Sequence, residues 1–504
     1  MGVPSFRPSA FLTRLGQPEC KPSMNSADFR RHAHDLVDWM ADYLDGVEEF
    51  PVKAPVRPGE IAGRLAESPP STGEPMEAIL ADFRSVILPG MTHWQHPSFF
   101  AYFQANSSHP SVLAEMLTAT LGAQCMMWET SPAATELEGR MMEWLRQMIG
   151  LPQGFVGSIQ DTASTATLCA ILAARERVSA GGVGVNETGM NDSGVLTAYC
   201  SVEAHSSVEK NVKIAGLGRA NLRQISVGDD FGMLPADLDR AIEADLAKGC
   251  RPACVVATVG TTGVSGFDPL RAIGEVCRKH DVWLHVDAAW AGNALVLPEM
   301  RWMIDGVELA DSFVFNPHKW LFTNFDCSAF YVRNPAEFVR VFEILPEYLK
   351  TRDGSSVTNY RDWGIQLGRR FRALKLWFVI RSYGVEGLQQ LIRSHIEMAH
   401  SLAEEIEMTE DFELLRPPVL SLLCFRFRPQ GADGQSLDEI NERLLQTIND
   451  SGKLYVTHTR INGTYAIRFV VGQTSTEPRH VREAWTTIQD LARELRPTGH
   501  STAD

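Results

Sequence analysis

Lys319 stands in Asn316-Pro317-His318-Lys319-Trp320, directly after the apolar run Ser312–Phe315. A lysine just past a buried strand is a candidate Schiff-base amine, because desolvation lowers its proton affinity and frees the lone pair. Taken alone it also reads as an ordinary solvent-facing lysine. Earlier, His285-Val286-Asp287-Ala288-Ala289-Trp290 sets Asp287 at the end of a second apolar run, where open α/β sheets bind ligands. A carboxylate there can hold a proton on a ring nitrogen, or serve as a plain helix N-cap. Gln160-Asp161-Thr162-Ala163-Ser164-Thr165 opens a helix running through Ala174. Its hydroxyls and first-turn amides suit a phosphate, or a common Ser/Thr cap. Ala204-His205-Ser206-Ser207 follows another strand, and its imidazole can stack on a flat ring or stand at the surface.

These residues need a scaffold that brings strand ends together. Val195–Val202, Cys254–Thr258, Val282–Val286 and Ser312–Phe315 are apolar runs without clean alternation, as in strands covered on both faces. Helical stretches at Pro235–Lys248 and Pro269–Lys279 separate them and give the rhythm of a parallel α/β sheet. Asp28 opens a helix with Phe29, Ala33, Leu36, Val37, Met40 and Leu44 at helical spacing. Helical patterning resumes over Met76–Val86, after the linker-like Glu67–Pro75. Arg369–Tyr383 is a basic amphipathic helix, and beyond it Leu420–Phe427 and Tyr465–Val471 read as strands. The expected organisation is therefore a helical segment over 1–108 with 1–24 loose, a large α/β domain over 109–383, and a small α/β domain over 384–504. The Gly-rich Ser179–Gly194 reads as a surface loop.

The chain has 504 residues, 44% hydrophobic and 22% charged, with a net charge of −15. That composition excludes a disordered or fibrous protein, and the acidity argues against nucleic acid or anionic membrane as a partner. The charge-free stretch Ser85–Ala114 carries three prolines and several His, Gln and Asn residues, which no lipid-exposed helix tolerates. It reads as buried or site-lining chain. No signal-peptide pattern is present at the N-terminus, and nine scattered cysteines fit a reducing compartment, so the cytoplasm is expected. His93/His96 and Cys250/Cys254 have partial ligand spacing without a second pair, so no metal site is expected.

Phosphate cup, stacking imidazole, carboxylate and amine together make a site for pyridoxal 5'-phosphate. Their order and spacing also resemble the group II pyridoxal-phosphate decarboxylases, in particular the aromatic-L-amino-acid decarboxylases. The resemblance extends to Pro89–Phe103, Ser131–Glu138, Asn324–Ser328 and Leu367–Phe371. It implies a fold-type I enzyme of the aspartate aminotransferase-like class, with a seven-stranded large domain. It further implies a homodimer with active sites at the subunit interface and an amino acid as substrate. Carried onto this chain, Lys319 forms the internal Schiff base, Asp287 pairs with the pyridinium nitrogen, His205 stacks on the ring and Ala289 packs on its other face. Thr262 supports the Asp287 side, while Thr162, Ala163, Ser164, Asn316 and His318 hold the phosphate. Tyr348 matches a loop tyrosine that helps protonate the carbanion left by decarboxylation.

By the same resemblance Trp94, Tyr102, Phe103 and Gln104 line the substrate pocket, with Gln124 and Met126 entering from the second subunit. An aromatic cluster by itself is usually core. Gln104-Ala105 replaces the Pro-Thr of animal members, which disfavours catechols, and Gly368 stands where plant relatives favour indoles. The loop from Lys350 to Tyr360 is shorter than in animal members, which bears on loop closure rather than reaction type. Tryptophan is the first expected substrate, then phenylalanine or tyrosine, then DOPA. The competing readings are an aldehyde synthase, which typically has Phe in place of Tyr348; an acidic amino acid decarboxylase, which needs a pocket arginine; and an inactive cofactor-binding homologue.

Overall fold

The computed structural model describes residues 24–179, 184–191, 193–344, 357–432 and 434–495. The chain divides into two compact units, one of residues 24–50 and 54–91, the other of 51–53 and the chain from 92 onward. In the first, the helix Ser26–Asp45 starts where the Asn25 side chain accepts from the amides of Ala27 and Asp28. Trp39 stacks on Tyr43 and meets Phe83 edge-on, with ring centroids 5.4 and 5.3 Å apart. Arg31 reaches from this helix to Glu77 at 2.8 Å.

The second unit carries both sheets. Its large sheet is built from β1 (Val156–Gln160), β2 (Leu196–Ser201), β3 (Leu222–Ile225), β4 (Arg251–Thr258), β5 (Trp283–Asp287), β6 (Ser312–Phe315) and β7 (Ser328–Val332). They are arranged in the order β1-β7-β6-β5-β4-β2-β3. The run β3-β2-β4-β5-β6 is parallel, and β7 lies antiparallel to β6 and β1. Successive residues feed two different cores. Val255, Ala257, Leu284, Val286, Phe313 and Phe315 face one, while Cys254, Val256, Trp283 and Val314 face the other. Helices cover both faces, which is why these runs are continuously apolar.

β1, β3 and β7 were not expected as individual strands. β3 is a short, half-buried edge strand, and β1 mixes Gly, Ser and Gln among its apolar residues, so neither has a hydrophobic pattern to read. β7 (SAFYV) is fully buried and only five residues long, too short a run to be told from buried loop by its pattern alone.

The small sheet is antiparallel, with β8 (Phe412–Arg416), β9 (Leu422–Phe427), β10 (Thr457–Ile461) and β11 (Thr464–Val470) in the order β10-β11-β9-β8. The helices Gly434–Asp450 and Pro478–Glu494 back it, closing a third core around Phe425, Phe469, Leu444 and Trp485. The helix Arg372–Met408 is interrupted at Gly384, whose φ of 66° and ψ of 170° only glycine adopts without strain. Among the described residues no helix is long and apolar enough to cross a membrane. Residues 92–108 of the charge-free stretch form neither helix nor strand, and Pro97–Ala101 is buried.

Candidate active site

Parallel strands deliver their C-terminal ends to one edge of the sheet, and loops leaving that edge converge. Thr258 and Asp287 are register partners at the ends of β4 and β5. Lys319 lies one helical turn, Pro317–Trp320, beyond β6. His205 follows β2, and Thr162 to Ser164 lead from β1 into the helix Ala163–Ser179. The result is a cavity of about 250 Å³. Its wall contains Lys319, Asp287, His205, Thr162, Ala163, Ser164, Thr262, Ala289, Asn316 and His318, every residue that the sequence assigns to the cofactor. Phe103, from the expected substrate set, lines the same cavity.

Burial pushes the Lys319 amine down to about 8, with the charge of Arg468 adding to the effect and Asp287 opposing it. At pH 7 about a tenth of this amine is therefore unprotonated and nucleophilic, far more than of an ordinary lysine. The amine lies 4.9 Å from the centroid of Phe103. Asp287 accepts from the amide of Ala289 at 3.0 Å, which fixes one carboxylate oxygen.

Both histidines of the site have defined tautomers. The amide of Cys327 donates to His318 Nδ1 at 2.9 Å, and the amide of Ser207 donates to His205 Nδ1 at 3.2 Å, so each neutral ring carries its proton on Nε2. Burial holds His318 down at about 3, so it stays neutral and offers Nε2–H. His205 stands at the open mouth. Partial burial and the Lys319 charge lower its proton affinity against the pull of Asp287.

The remaining motif stretches turn out to be the supports of this wall. In Asn324–Ser328, Cys327 orients His318 and the Ser328 hydroxyl donates to Asn316 Oδ1 at 2.7 Å. Ser131–Glu138 and Leu367–Phe371 meet in the buried ion pair of Glu138 with Arg369, at 2.6 Å. Glu138 also accepts from the amide of Ile159, and Arg369 donates to the Ile159 carbonyl. The pair thereby clamps β1 three residues before the Thr162–Ser164 turn.

The other substrate candidates fall in two places. Trp94 and Tyr102 form a half-exposed aromatic shelf, with ring centroids 5.9 Å apart and Tyr102 at a φ of 51°. Gln124 sits against Gly368 and accepts from the Arg369 amide at 2.7 Å, and Met126 accepts from the Arg361 amide through its carbonyl. None of these four lines the cavity. The carboxamide of Gln104 is buried and donates to the carbonyls of Phe99 and Val470, so it braces backbone rather than facing the cavity. Tyr348 lies outside the described residues.

Sequence reasoning missed three supports. Asn106 donates to the carbonyls of Lys319 and Gly472. Asp268, pushed up to about 6 by burial, accepts from the amides of Thr258 and Met233. Arg468 stacks against Phe103 from β11. Only Arg468 left a signal, as the one cation in the apolar run Tyr465–Val471.

The walls fit pyridoxal phosphate: a buried amine, a strand-end carboxylate, first-turn amides that lack intrahelical partners, and a Thr258 hydroxyl buried without a hydrogen-bond partner. The comparisons agree. Residues 58–428 match the model of the pyridoxal-dependent decarboxylase conserved domain. The chain is 44% identical to an aromatic-L-amino-acid decarboxylase of Sus scrofa, over 94% of this chain and 98% of that one. It is 42% identical to tyrosine decarboxylase 4 of Petroselinum crispum, over 94% and 95%. The crystal structure of Catharanthus roseus tryptophan decarboxylase in complex with L-tryptophan superposes with a TM-score of 0.88 at 40% identity, covering 94% of this chain and all of that one. With the mostly parallel seven-stranded sheet and small antiparallel sheet, the fold is that of fold-type I enzymes. The chain belongs to the pyridoxal-dependent decarboxylases and is a pyridoxal-phosphate-dependent carboxy-lyase.

Proposed function

We propose that this enzyme decarboxylates an aromatic L-amino acid to the corresponding amine, with tryptophan first among its substrates. The observation that carries this reading is a single cavity holding Lys319, Asp287 and His205 with the Phe103 ring in its wall. When bound, pyridoxal phosphate supplies an electron-accepting ring to the amino acid's nitrogen. Lys319 is the amine that holds the cofactor, and burial keeps it ready to react near neutral pH. Asp287 holds a proton on the ring nitrogen, which keeps that ring an electron sink. First-turn amides at Ala163 and Ser164, with His318 Nε2–H, bind phosphate oxygens. His205 and Ala289, both in the cavity wall, would flank the ring and restrict water there.

The aromatic shelf of Trp94 and Tyr102, which packs against Phe99 and Tyr455, offers flat apolar surface to an indole or phenyl ring. A second copy of the chain completes the pocket with its own Gln124 and Met126. In support of a dimer, Leu113, Leu117 and Leu121 form an exposed stripe along the helix His109–Leu121. The eight described cysteines are all free, in keeping with work in a reducing cytoplasm.

The test is a product assay on the holoenzyme with tryptophan, phenylalanine, tyrosine, DOPA, glutamate and aspartate supplied separately. Amine equal to carbon dioxide, highest with tryptophan, is the expected result. Carbon dioxide from acidic substrates alone overturns the aromatic reading. In the same assay Tyr348→Phe diverts product from amine to aldehyde and peroxide, as a proton-delivering role requires.

A further inference from the structure

Arg468 is 3% exposed, yet among the described residues no carboxylate pairs with it. Its Nε donates to the carbonyl of Thr262 at 2.8 Å and its Nη1 to the carbonyl of Tyr102 at 2.6 Å. Its Nη2 is buried with no hydrogen-bond partner. Burying an unpaired guanidinium is costly, and such a group persists where the charge or its geometry is used. The guanidinium carbon lies 4.6 Å from the centroid of Phe103, and the Lys319 amine lies 4.9 Å from the same centroid. Arg468 does not itself line the cavity, whereas Phe103, Thr262 and Lys319 do. It therefore acts on the site through other residues.

We propose that Arg468 is a positioning residue of this active site: from β11 it pins the Tyr102–Phe103 turn and Thr262, and its uncompensated charge bears on the Lys319 amine, both cations lying against the Phe103 ring. The inference rests on the reading of Lys319 as the cofactor lysine. The shared ring keeps the two cations within about 10 Å of each other, a range over which like charges in a protein interior repel measurably. The other charged or titratable groups facing Lys319 are Asp287 from β5, His205 after β2 and His318 beside it. Of these, Asp287 favours the ammonium form, so Arg468 is the permanent charge that opposes it. Tyr102 adopts a left-handed backbone, φ 51°, and Arg468 holds its carbonyl in that conformation. One side chain from the small sheet thus sets both the shape and the charge of the wall beside the amine.

The experiment follows the rate at which cofactor-stripped protein captures pyridoxal phosphate as pH is raised, read by absorbance. Wild-type capture rises with a midpoint near 8. In Arg468→Gln, which keeps one N–H₂ donor group in place of the guanidinium and loses the charge, the midpoint moves up by about one pH unit. In Arg468→Lys it stays at the wild-type value, while KM for the amino acid rises because the second carbonyl contact is lost. A wild-type midpoint in Arg468→Gln overturns the proposal, and so does a midpoint in Arg468→Lys raised as far as in the glutamine variant. Should the glutamine variant fail to fold, Arg468→Met carries the same comparison. Capture that survives unchanged in Lys319→Ala overturns instead the reading of Lys319, which separates the two failures.

Discussion

The side-chain amide of Asn106 hydrogen-bonds the main-chain carbonyl of Lys319. The same amide donates to the carbonyl of Gly472 at 2.7 Å, and its oxygen accepts from the amide of Thr474 at 2.8 Å. The amide nitrogen of Asn106 in turn donates to the carbonyl of His318. One buried carboxamide therefore ties the lysine turn to the segment that follows β11.

Asn106→Ala leaves the buried carbonyl of Gly472, and the part-buried carbonyl of Lys319 and amide of Thr474, without these partners. An unmet buried group costs about 1–3 kcal/mol, so the variant loses roughly that much stability or somewhat more. It also releases pyridoxal phosphate faster, because the lysine backbone is no longer held. Thermal unfolding and the cofactor off-rate check both, and a wild-type off-rate removes Asn106 from the site's support.

Asp287→Asn preserves the shape of the side chain and removes its charge. Loss of a preorganised electrostatic partner of this kind lowers turnover by about 10²–10³, with the melting temperature little changed. Steady-state kinetics at saturating cofactor measure it. A fall of less than tenfold means that Asp287 does not hold the ring proton.

The Glu138–Arg369 pair is buried and bidentate, at 2.6 and 3.0 Å. Removing one partner strands the other charge, at a cost of about 3–5 kcal/mol. Glu138→Gln and Arg369→Met each destabilise the protein on that scale, and the double variant loses much less than their sum. Chemical denaturation of the four proteins completes the cycle, and strict additivity shows that the two side chains do not act together.

His395 accepts from Trp320 Nε1 at 2.9 Å, and burial holds it down at about 4. The unfolded chain binds that proton near the ordinary value of about 6.5, so stability is full above 6.5 and falls as pH drops towards 4. This one group accounts for about 2 kcal/mol of loss between pH 7 and pH 5. His285 and His318, each held near 3 by burial, act in the same direction. In His395→Gln the drop in stability of the holoenzyme from pH 7 to pH 5 is smaller by that 2 kcal/mol. Urea unfolding at both pH values measures the difference, and an unchanged drop shows that His395 is not the titrating group.

The sequence by itself determined the chemistry-bearing positions and the strands between them. Residue type and local order suffice for that: Asp287 and Lys319 each follow an apolar run, and the helix Ala163–Ser179 opens on hydroxyls and amides. Covered parallel strands leave continuous apolar runs, which is why β2, β4, β5 and β6 were legible and the polar edge strands β1 and β3 were not. Only the tertiary structure decided which side chains hold those positions in place. Asn106, Glu138, Arg369 and Arg468 act over separations of more than two hundred residues, as in the contact of Glu138 with Arg369. It also turned the Gln104 carboxamide to brace backbone carbonyls rather than to line the cavity. A side chain's partner across a fold is set by packing and by the need to satisfy buried polar groups, and neither leaves a periodic trace along the chain.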